Sequence, residues 1–262
     1  MQRTADIQKL SHKYLPTDFV VTDWASLEPF FKELNDRPIP SVEALEAWLT
    51  DLSELEACIS EDACWRQIKM TCDTTDKSLE DAFTFFCMEI QPKMQPYADA
   101  LNKKLIQSPY TAGLDQAKYH TYLRSVKKSI ELFRTENIPI QAELSVLQQQ
   151  YGVIAGKMTI EVGGKEYTLQ QAAQFLENED RAFREDVYRK IQTRRLQDQE
   201  AMHDLFTNLV QKRHQVALNA GFENYRDYKF AELGRFDYTK EDCFQFHEAV
   251  KLHVMPLIEK IY

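Results

Sequence analysis

The sequence is poor in glycine and has no cysteine pair at metal-binding spacing. Only seven of its 262 residues are glycine, so few backbone positions need a positive φ and a mainly α-helical fold is expected. The five cysteines are odd in number and contain no Cys-x-x-Cys pair, which argues against a disulfide framework and a zinc ribbon. We therefore expect a reduced, cytoplasmic protein whose cysteines are small buried hydrophobic residues.

The sequence also lacks long apolar runs and an excess of basic residues. No apolar core follows residues 1–6, so neither a signal peptide nor a transmembrane helix is expected. The net charge of −9 argues against binding to nucleic acid or to a membrane surface, because both need clustered Lys and Arg. The 44% hydrophobic content is sufficient for a packed core.

Apolar residues recur at helical spacing through the first part of the chain. Ser26 is a possible N-cap that would place Pro29 in the first helical turn. Ser41 can cap a long helix, and Trp65, Ile68 and Cys72 extend its apolar stripe. The main part of that stripe is Val42, Leu45, Leu49, Leu52, Leu55 and Ile59.

Later helices are bounded by proline and glycine. Pro92 and Pro96 predict a kink or an end in a helix that opens near Ser78. Gly152 is expected just past the end of another helix. The longest helical stretch is predicted over 179–220, where the residues expected to face the core are Phe183, Val187, Ile191, Leu205, Phe206, Leu209 and Val210.

The last segment opens at Thr239, with Asp242 three residues on as a capping partner. An aliphatic stripe then continues to Tyr262 without a capping glycine, which suggests a fragment of a longer polypeptide; a helix that simply ends at a terminus is the alternative. The stripe consists of Val250, Val254, Leu257, Ile258 and Ile261.

One short stretch changes from helical to strand periodicity. Apolar and polar residues alternate over 157–162, and Gly163-Gly164 forms a two-residue turn typical of a hairpin. Thr168 and Gln171 have the spacing of a capping box, so the chain re-enters a helix at once. The fold class is therefore mainly α, a multi-helix lobe with one small β-hairpin near residues 156–168.

No catalytic motif is complete. His247 and Glu248 begin a His-Glu-x-x-His pattern, but Lys251 stands where the second histidine is needed. The sequence has no nucleophile elbow, P-loop or dinucleotide-binding glycine motif. Acidic clusters such as Glu54-Leu55-Glu56 are expected on solvated helix faces, and residues 235–238 are expected to form a packed turn.

Several segments together resemble the oligoendopeptidase F branch of the thimet-type zinc metallopeptidases. The resemblance covers roughly residues 151–262, and the earlier helices agree in character only. Its segments are GKMTIEVGGKEYTL (156–169), LENEDR (176–181), Arg184-Glu185, RHQVA (213–217), GFENYRDY (221–228) and RFDYT (235–239).

This resemblance implies a two-lobed helical shell around a deep channel, with zinc held by a His-Glu-x-x-His helix and a distant glutamate. It also implies that these ligands lie beyond Tyr262, so this segment has no cofactor and is expected to be inactive alone. Its partners would be short peptides and the remainder of the catalytic lobe. The expected regions are an N-terminal helical region (1–113), an oligoendopeptidase F-type N-terminal lobe with the hairpin (114–200) and the truncated beginning of the catalytic lobe (201–262).

The hairpin is the candidate substrate-binding site. A short strand has a free edge to which an extended peptide can add by main-chain hydrogen bonds, and the candidate residues are Lys157, Thr159 and Glu161. The alternative is a hairpin that only caps the helix ends around Gly152 and Thr168. The alternative function is a stand-alone helical interaction module. The coding sequence beyond Tyr262 distinguishes the two: a stop codon favours the module, and an open frame with His-Glu-x-x-His favours the peptidase.

Overall fold

Helices account for most of the chain in a computed structural model that describes residues 12–261. The predicted mainly α fold with one small hairpin is confirmed. The expectations for residues 1–6 and for Tyr262 lie outside the described residues. The helices are α1 (Trp24–Asp36), α2 (Val42–Cys72), α3 (Lys77–Phe85), α4 (Gln91–Gln107), α5 (Gln116–Leu132), α6 (Asn137–Gly156), α7 (Leu169–Ala172), α8 (Arg181–Gln197), α9 (Gln199–Asn219), α10 (Tyr225–Glu232), α11 (Lys240–Ala249) and α12 (Met255–Ile261), and the strands are β1 (Thr159–Val162) and β2 (Lys165–Thr168).

The start of α1 differs from the prediction. Asp23 is the N-cap, and its carboxylate accepts a hydrogen bond from the backbone N–H of Ser26 at 2.9 Å. Ser26 is the third residue of the helix and completes a capping box by accepting from the Asp23 N–H. Pro29 therefore lies inside the helix, beyond its first turn. The sequence interpretation missed that an aspartate three residues earlier satisfies the free N–H groups equally well.

Ser41 caps the long helix α2, as predicted: its hydroxyl accepts a hydrogen bond from the Ala44 N–H. The expected extension of its apolar stripe is wrong, since Trp65 and Ile68 are 52% and 46% exposed, and Cys72 is exposed too. Helix α3 covers a different face of this half of α2, where Arg66 donates to the Ala82 carbonyl and Met70 is buried.

Prolines in two helices follow π-helical turns. The turn Phe86–Ile90 joins α3 to α4 without a break, and Pro92 is the second residue of α4. The turn Val250–Val254 joins α11 to α12 in the same way, just before Pro256. A proline cannot donate to the preceding turn and its ring crowds the carbonyl four residues back, and a widened turn accommodates both effects. Of the kink or end predicted at Pro92 and Pro96, the end does not occur, since α4 continues to Gln107.

The predicted helix boundaries at Gly152 and over 179–220 need correction. Gly152 lies inside α6, which continues to Gly156. The backbone φ of Gly152 is not positive, so this glycine does not end the helix. The long stretch is divided at Asp198 into α8 and α9. Gly221 ends α9 with φ of 85°, as predicted. Of the residues expected to face the core there, Phe206 and Val210 are exposed.

The buried side chains form several hydrophobic clusters. The first and largest joins α1, α2, α4 and α5. The second joins the end of α5 to α6, α9 and α10, and the third packs the hairpin against α7 and α8. A small fourth cluster around Met70 connects α2 to the helix that follows. The fully buried Trp48 lies in the first cluster, where its indole N–H donates to the Leu34 carbonyl.

The helix over 240–261 stands apart from these clusters. Thr239 and Asp242 form the predicted capping box at its start, yet none of its side chains is buried. Leu257 is 58% exposed and Ile261 is 76% exposed. The aliphatic residues at this end of the described chain are therefore uncovered.

The five cysteines differ in how deeply they are buried. Cys87 alone of the five cysteines is buried, whereas Cys64 and Cys72 are exposed, so the expectation that the cysteines are buried hydrophobic residues is wrong for those two. Within residues 12–261, no helix is both long and apolar enough to cross a membrane.

Candidate functional site

The hairpin has a fixed register. Gly163 and Gly164 both have positive φ, at 61° and 78°, which is the geometry of the type I′ turn that suits a two-residue loop. Val162 pairs with Lys165, and the pairing continues to Thr159 opposite Thr168. Along an antiparallel hairpin, residue pairs that exchange backbone hydrogen bonds alternate with pairs that do not, starting with the pair next to the turn.

The alternation determines which backbone groups of β1 are free. Val162 and Ile160 exchange hydrogen bonds with β2, whereas the N–H and C=O groups of Glu161 and Thr159 point away from it. No residue in the described part of the chain forms a hydrogen bond with those outward groups. Among the described residues, the outer edge of β1 is therefore an unpaired strand edge.

The two faces of the hairpin differ in character. Ile160 and Val162 are buried and pack with Val187 and Ile191 of α8. The opposite face carries Thr159 and Glu161, and the Thr159 hydroxyl donates to the Glu166 carboxylate. The buried face fixes the hairpin on α8 and leaves the polar face accessible.

The three candidate residues do not all belong to the strand. Thr159 and Glu161 lie on β1. Lys157 comes two residues before the strand and has φ −82° and ψ −6°, a near-helical conformation at the end of α6. Its carbonyl accepts a hydrogen bond from Arg194 at 3.2 Å. The prediction that the strand begins at Lys157 is therefore wrong.

The histidines do not assemble a metal site. His247 and His253 are both exposed on the last helix, and Lys251, in place of a second ligand, forms an ion pair with Glu248 at 3.6 Å. Among residues 12–261, no group of three His, Cys, Asp or Glu side chains could hold a metal ion.

The turn over 235–238 packs against the N-terminal helices. The guanidinium of Arg124, on α5, lies 4.2 Å from the centre of the Phe236 ring and forms an ion pair with Asp237 at 3.2 Å. Tyr238 of the turn forms an edge-to-face aromatic pair with Phe230 on α10. These contacts attach the segment before α11 to α5.

A cavity of about 310 Å³ lies beside that turn. Helices α4, α5 and α6 contribute one part of its lining, and α10 with the turn contributes the other. Sequence reasoning missed this cavity because its lining residues are distributed from Gln95 to Phe236. No local spacing in the sequence could have revealed it.

Two family models match the chain. The model described as the Peptidase M3 N-terminal domain matches residues 16–133, and the model of Peptidase family M3 matches residues 174–262. They occur in chain order and together take in well over half of the sequence. The chain belongs to peptidase family M3.

Solved structures share the fold of this M3 chain. An oligoendopeptidase F from Bacillus anthracis str. Ames superposes with a TM-score of 0.84 at 21% identity over 90% of this chain. A second oligoendopeptidase F, from crystals grown by microfluidic seeding, gives 0.86 at 24% identity over 95% of it. PZ peptidase A, solved with an inhibitor, gives 0.82 at 22% identity over 90% of it.

The M3 chain spans less than half of these proteins, namely 44%, 44% and 42% of their lengths, and it corresponds to the N-terminal portion of the oligoendopeptidase F chains. No curated protein sequence matches it. The hairpin lies between the two ranges matched by the family models, whereas the cavity is lined from both ranges.

Proposed function

We propose that this chain is the N-terminal part of a cytoplasmic, zinc-dependent oligopeptidase that hydrolyses short peptides in an enclosed channel. The observation that carries the proposal is the ordered match to both M3 family models. The similarity of fold to oligoendopeptidase F over nearly the whole chain is consistent with it.

The zinc site is assigned to a part of the enzyme outside residues 12–261. The side chains described there do not fit a zinc site, because no three candidate ligands converge. When bound, zinc would polarise the peptide carbonyl and activate water. We assign no hydrolytic step to this chain, and we expect it to be inactive alone.

The contribution of this segment is to contain and bind the peptide. Its helices would form part of the channel wall, and the outer edge of β1 would hydrogen-bond to the peptide backbone through Thr159 and Glu161. Such recognition does not depend on side-chain identity, which suits an enzyme with many short substrates. Lys157 would lie beside the end of this edge rather than on it.

The remainder of the catalytic lobe would cover the last helix. The helix over 240–261 has no buried residue and carries Leu252, Leu257 and Ile261 exposed. A helix with so much uncovered aliphatic surface usually packs against another element. A stand-alone interaction module would use the same surface to bind a partner helix, so this surface alone does not separate the two functions.

The first experiment compares two polypeptides in a fluorogenic peptide-hydrolysis assay with added zinc. One is the 262-residue chain, and the other is the product of the complete reading frame that encodes it. We expect turnover and stoichiometric zinc only in the second. Chelator-sensitive hydrolysis by the 262-residue chain would contradict the expected inactivity, and a reading frame that stops after Tyr262 would favour the interaction module.

The second experiment tests the hairpin in the complete enzyme. Thr159→Pro removes an outward N–H without removing a hydrogen bond between β1 and β2. We expect a higher KM for several unrelated peptides, with zinc content and fold retained. Thr159→Val keeps the N–H and removes only the hydroxyl, so it is the matched control. An unchanged KM in correctly folded Thr159→Pro would leave the hairpin as a cap for the helix ends.

A further inference from the structure

The cavity beside the 235–238 turn is an open cleft lined by elements that are distant in the sequence. Its volume of about 310 Å³ lies at the lower end of the range for small-ligand sites, roughly 300–1,000 Å³. Leu132, Phe133 and Leu233 supply apolar surface, while Ser129 and Gln141 supply hydrogen-bonding groups. This mixture is typical of a site for a small ligand with both polar and apolar parts.

The charges that line the cavity have opposite signs on different elements. Arg134 follows α5, and Lys128 lies on it, whereas Glu232 lies at the end of α10. The Arg134 Nη1 atom donates to the carbonyls of Glu131 and Phe133, which anchors the guanidinium at the cavity. Lys128 is paired with Glu131, so Arg134 is the cation that retains donors for a ligand.

A buried hydroxyl also faces the cavity with only long contacts. The side chain of Tyr228 is 3% exposed, and its oxygen lies 3.4 Å from a carboxylate oxygen of Glu232 and 3.5 Å from the Gln141 amide nitrogen. Hydrogen bonds from a hydroxyl to an oxygen are usually 2.5–3.0 Å long. The Tyr228 hydroxyl can therefore form a shorter hydrogen bond with a ligand.

Burial and the nearby Glu232 raise the pKa of Tyr228 to about 12. The hydroxyl therefore keeps its proton at neutral pH and is available as a donor. Glu232 contacts Lys229 through one carboxylate oxygen and Tyr228 through the other, and each oxygen has a second lone pair that can accept from a ligand. The cavity thus presents a cation, an anion and a neutral donor in fixed positions.

We propose that this cavity binds a short zwitterionic peptide of two or three residues, with its carboxylate toward Arg134 and its ammonium toward Glu232. The peptide amides would bond to Gln141 and to the Tyr228 hydroxyl, and one apolar side chain would contact Leu132 and Phe133. The ligand class rests on the proposed function, since an oligopeptidase releases such peptides.

The test uses isothermal titration calorimetry on the 262-residue chain with three synthetic peptides. These are Ala-Leu-Ala, its N-acetyl derivative and its C-terminal amide. We expect the free peptide to bind, and each blocked peptide to bind at least tenfold more weakly because one terminal charge is missing. Equal affinity for all three, or no heat from the free peptide at millimolar concentration, would overturn the proposal.

Two variants assign the ends of the peptide. Arg134→Gln should weaken binding of the free peptide at least tenfold and leave the affinity for the C-terminal amide unchanged. Glu232→Gln should also weaken binding of the free peptide at least tenfold, but leave the affinity for the N-acetyl peptide unchanged. Lys127→Gln changes an exposed cation on α5 that does not line the cavity, so it should bind like the unmodified chain. A variant that weakens all three peptides equally would contradict the assigned orientation.

The comparison of ligands needs no substitution, so it decides the proposal even where a variant folds poorly. The titration measures binding without turnover. Failure to bind would leave the proposed peptidase function intact, and an inactive complete enzyme would leave the binding result intact.

Discussion

The carboxylate of Glu54, in the middle of α2, accepts a hydrogen bond from the backbone N–H of Leu15 at 2.8 Å. The same carboxylate accepts from the N–H groups of Tyr14 and Lys13, at 3.0 Å each. Three successive donors converge on one side chain, which joins the segment before α1 to the long helix. Leu15 is buried in the first cluster as a result.

Replacing Glu54 should therefore destabilise the N-terminal helices. Glu54→Gln removes the charge that strengthens these hydrogen bonds, and we expect a loss of about 1–2 kcal/mol in the free energy of unfolding. Urea denaturation at pH 7 measures this loss. Glu61→Gln, on an exposed part of the same helix, is the control and should change little. Equal stability of the two variants would show that the contacts contribute nothing.

The contribution of Glu54 should depend on pH in the acid range. Burial opposes its ionisation, but the three backbone donors outweigh burial and hold its pKa below the ordinary value of 4.5. A carboxyl with a lowered folded pKa stabilises the protein above its unfolded pKa and loses that effect as the pH falls through the folded value. The stability difference between the unmodified chain and Glu54→Gln should shrink from pH 6 to pH 3.

Lys104 should be important for the end of α1. Its ammonium group donates to the carbonyls of Leu34, Asn35 and Arg37 at 2.9, 2.7 and 2.6 Å, and partial burial lowers its pKa. Lys104→Met would leave the Asn35 and Arg37 carbonyls without this donor, whereas the Leu34 carbonyl keeps the Trp48 indole N–H. We expect a cost of about 2 kcal/mol. Thermal denaturation checks this, with the exposed Lys93→Met as the control. A melting temperature equal to that of the control would show that water replaces the ammonium group.

Asn137 should be a key polar contact between α6 and α9. Its side chain is 2% exposed, donates to the Val216 carbonyl at 3.0 Å and accepts from Asn219 at 2.7 Å. Asn137→Ala removes both hydrogen bonds between the helices and leaves the Asn219 amide without its acceptor, so we expect a loss of about 2 kcal/mol. Chemical denaturation with Asn102→Ala as the control measures it. A loss no larger than that of the control would contradict this expectation.

The uncovered last helix should make the 262-residue chain self-associate. Exposed aliphatic surface of this extent seldom stays in water alone. Leu257→Glu should shift the chain toward monomer in sedimentation velocity experiments, whereas Lys260→Glu, a charge change on the same helix, should not. A monomer in the unmodified chain, with residues 250–261 fully protected from hydrogen exchange, would contradict the prediction.

Sequence reasoning succeeded where a feature depends on neighbouring residues. The hairpin turn at Gly163 and Gly164, the cap at Ser41 and the capping box of Thr168 and Gln171 each follow from local backbone chemistry. It failed where a second element decides which face is covered. Trp65 continues the apolar spacing of α2, but α3 packs on the face that carries Met70.

The candidate site shows the same division. Thr159 and Glu161 were identified from the alternation of residues along one strand, and the register confirms that they share a face. Glu54 was assigned to a solvated acidic cluster because its partners lie about forty residues earlier in the chain. Tyr228 and Arg134 come together only through the packing of α10 beside α5 and α6, and periodicity carries no information on such packing.

The π-helical turn at Val250–Val254 changes the direction in which the last helix presents its aliphatic side chains. Such a turn contains one residue more than an α-helical turn, so every later residue is displaced around the axis by about 100°. Val250 and Leu257 therefore do not lie on one straight stripe, although their spacing in the sequence suggests it. A single straight helix packed on this surface could cover the aliphatic side chains before the turn or those after it. Two segments with different orientations are needed to cover both groups.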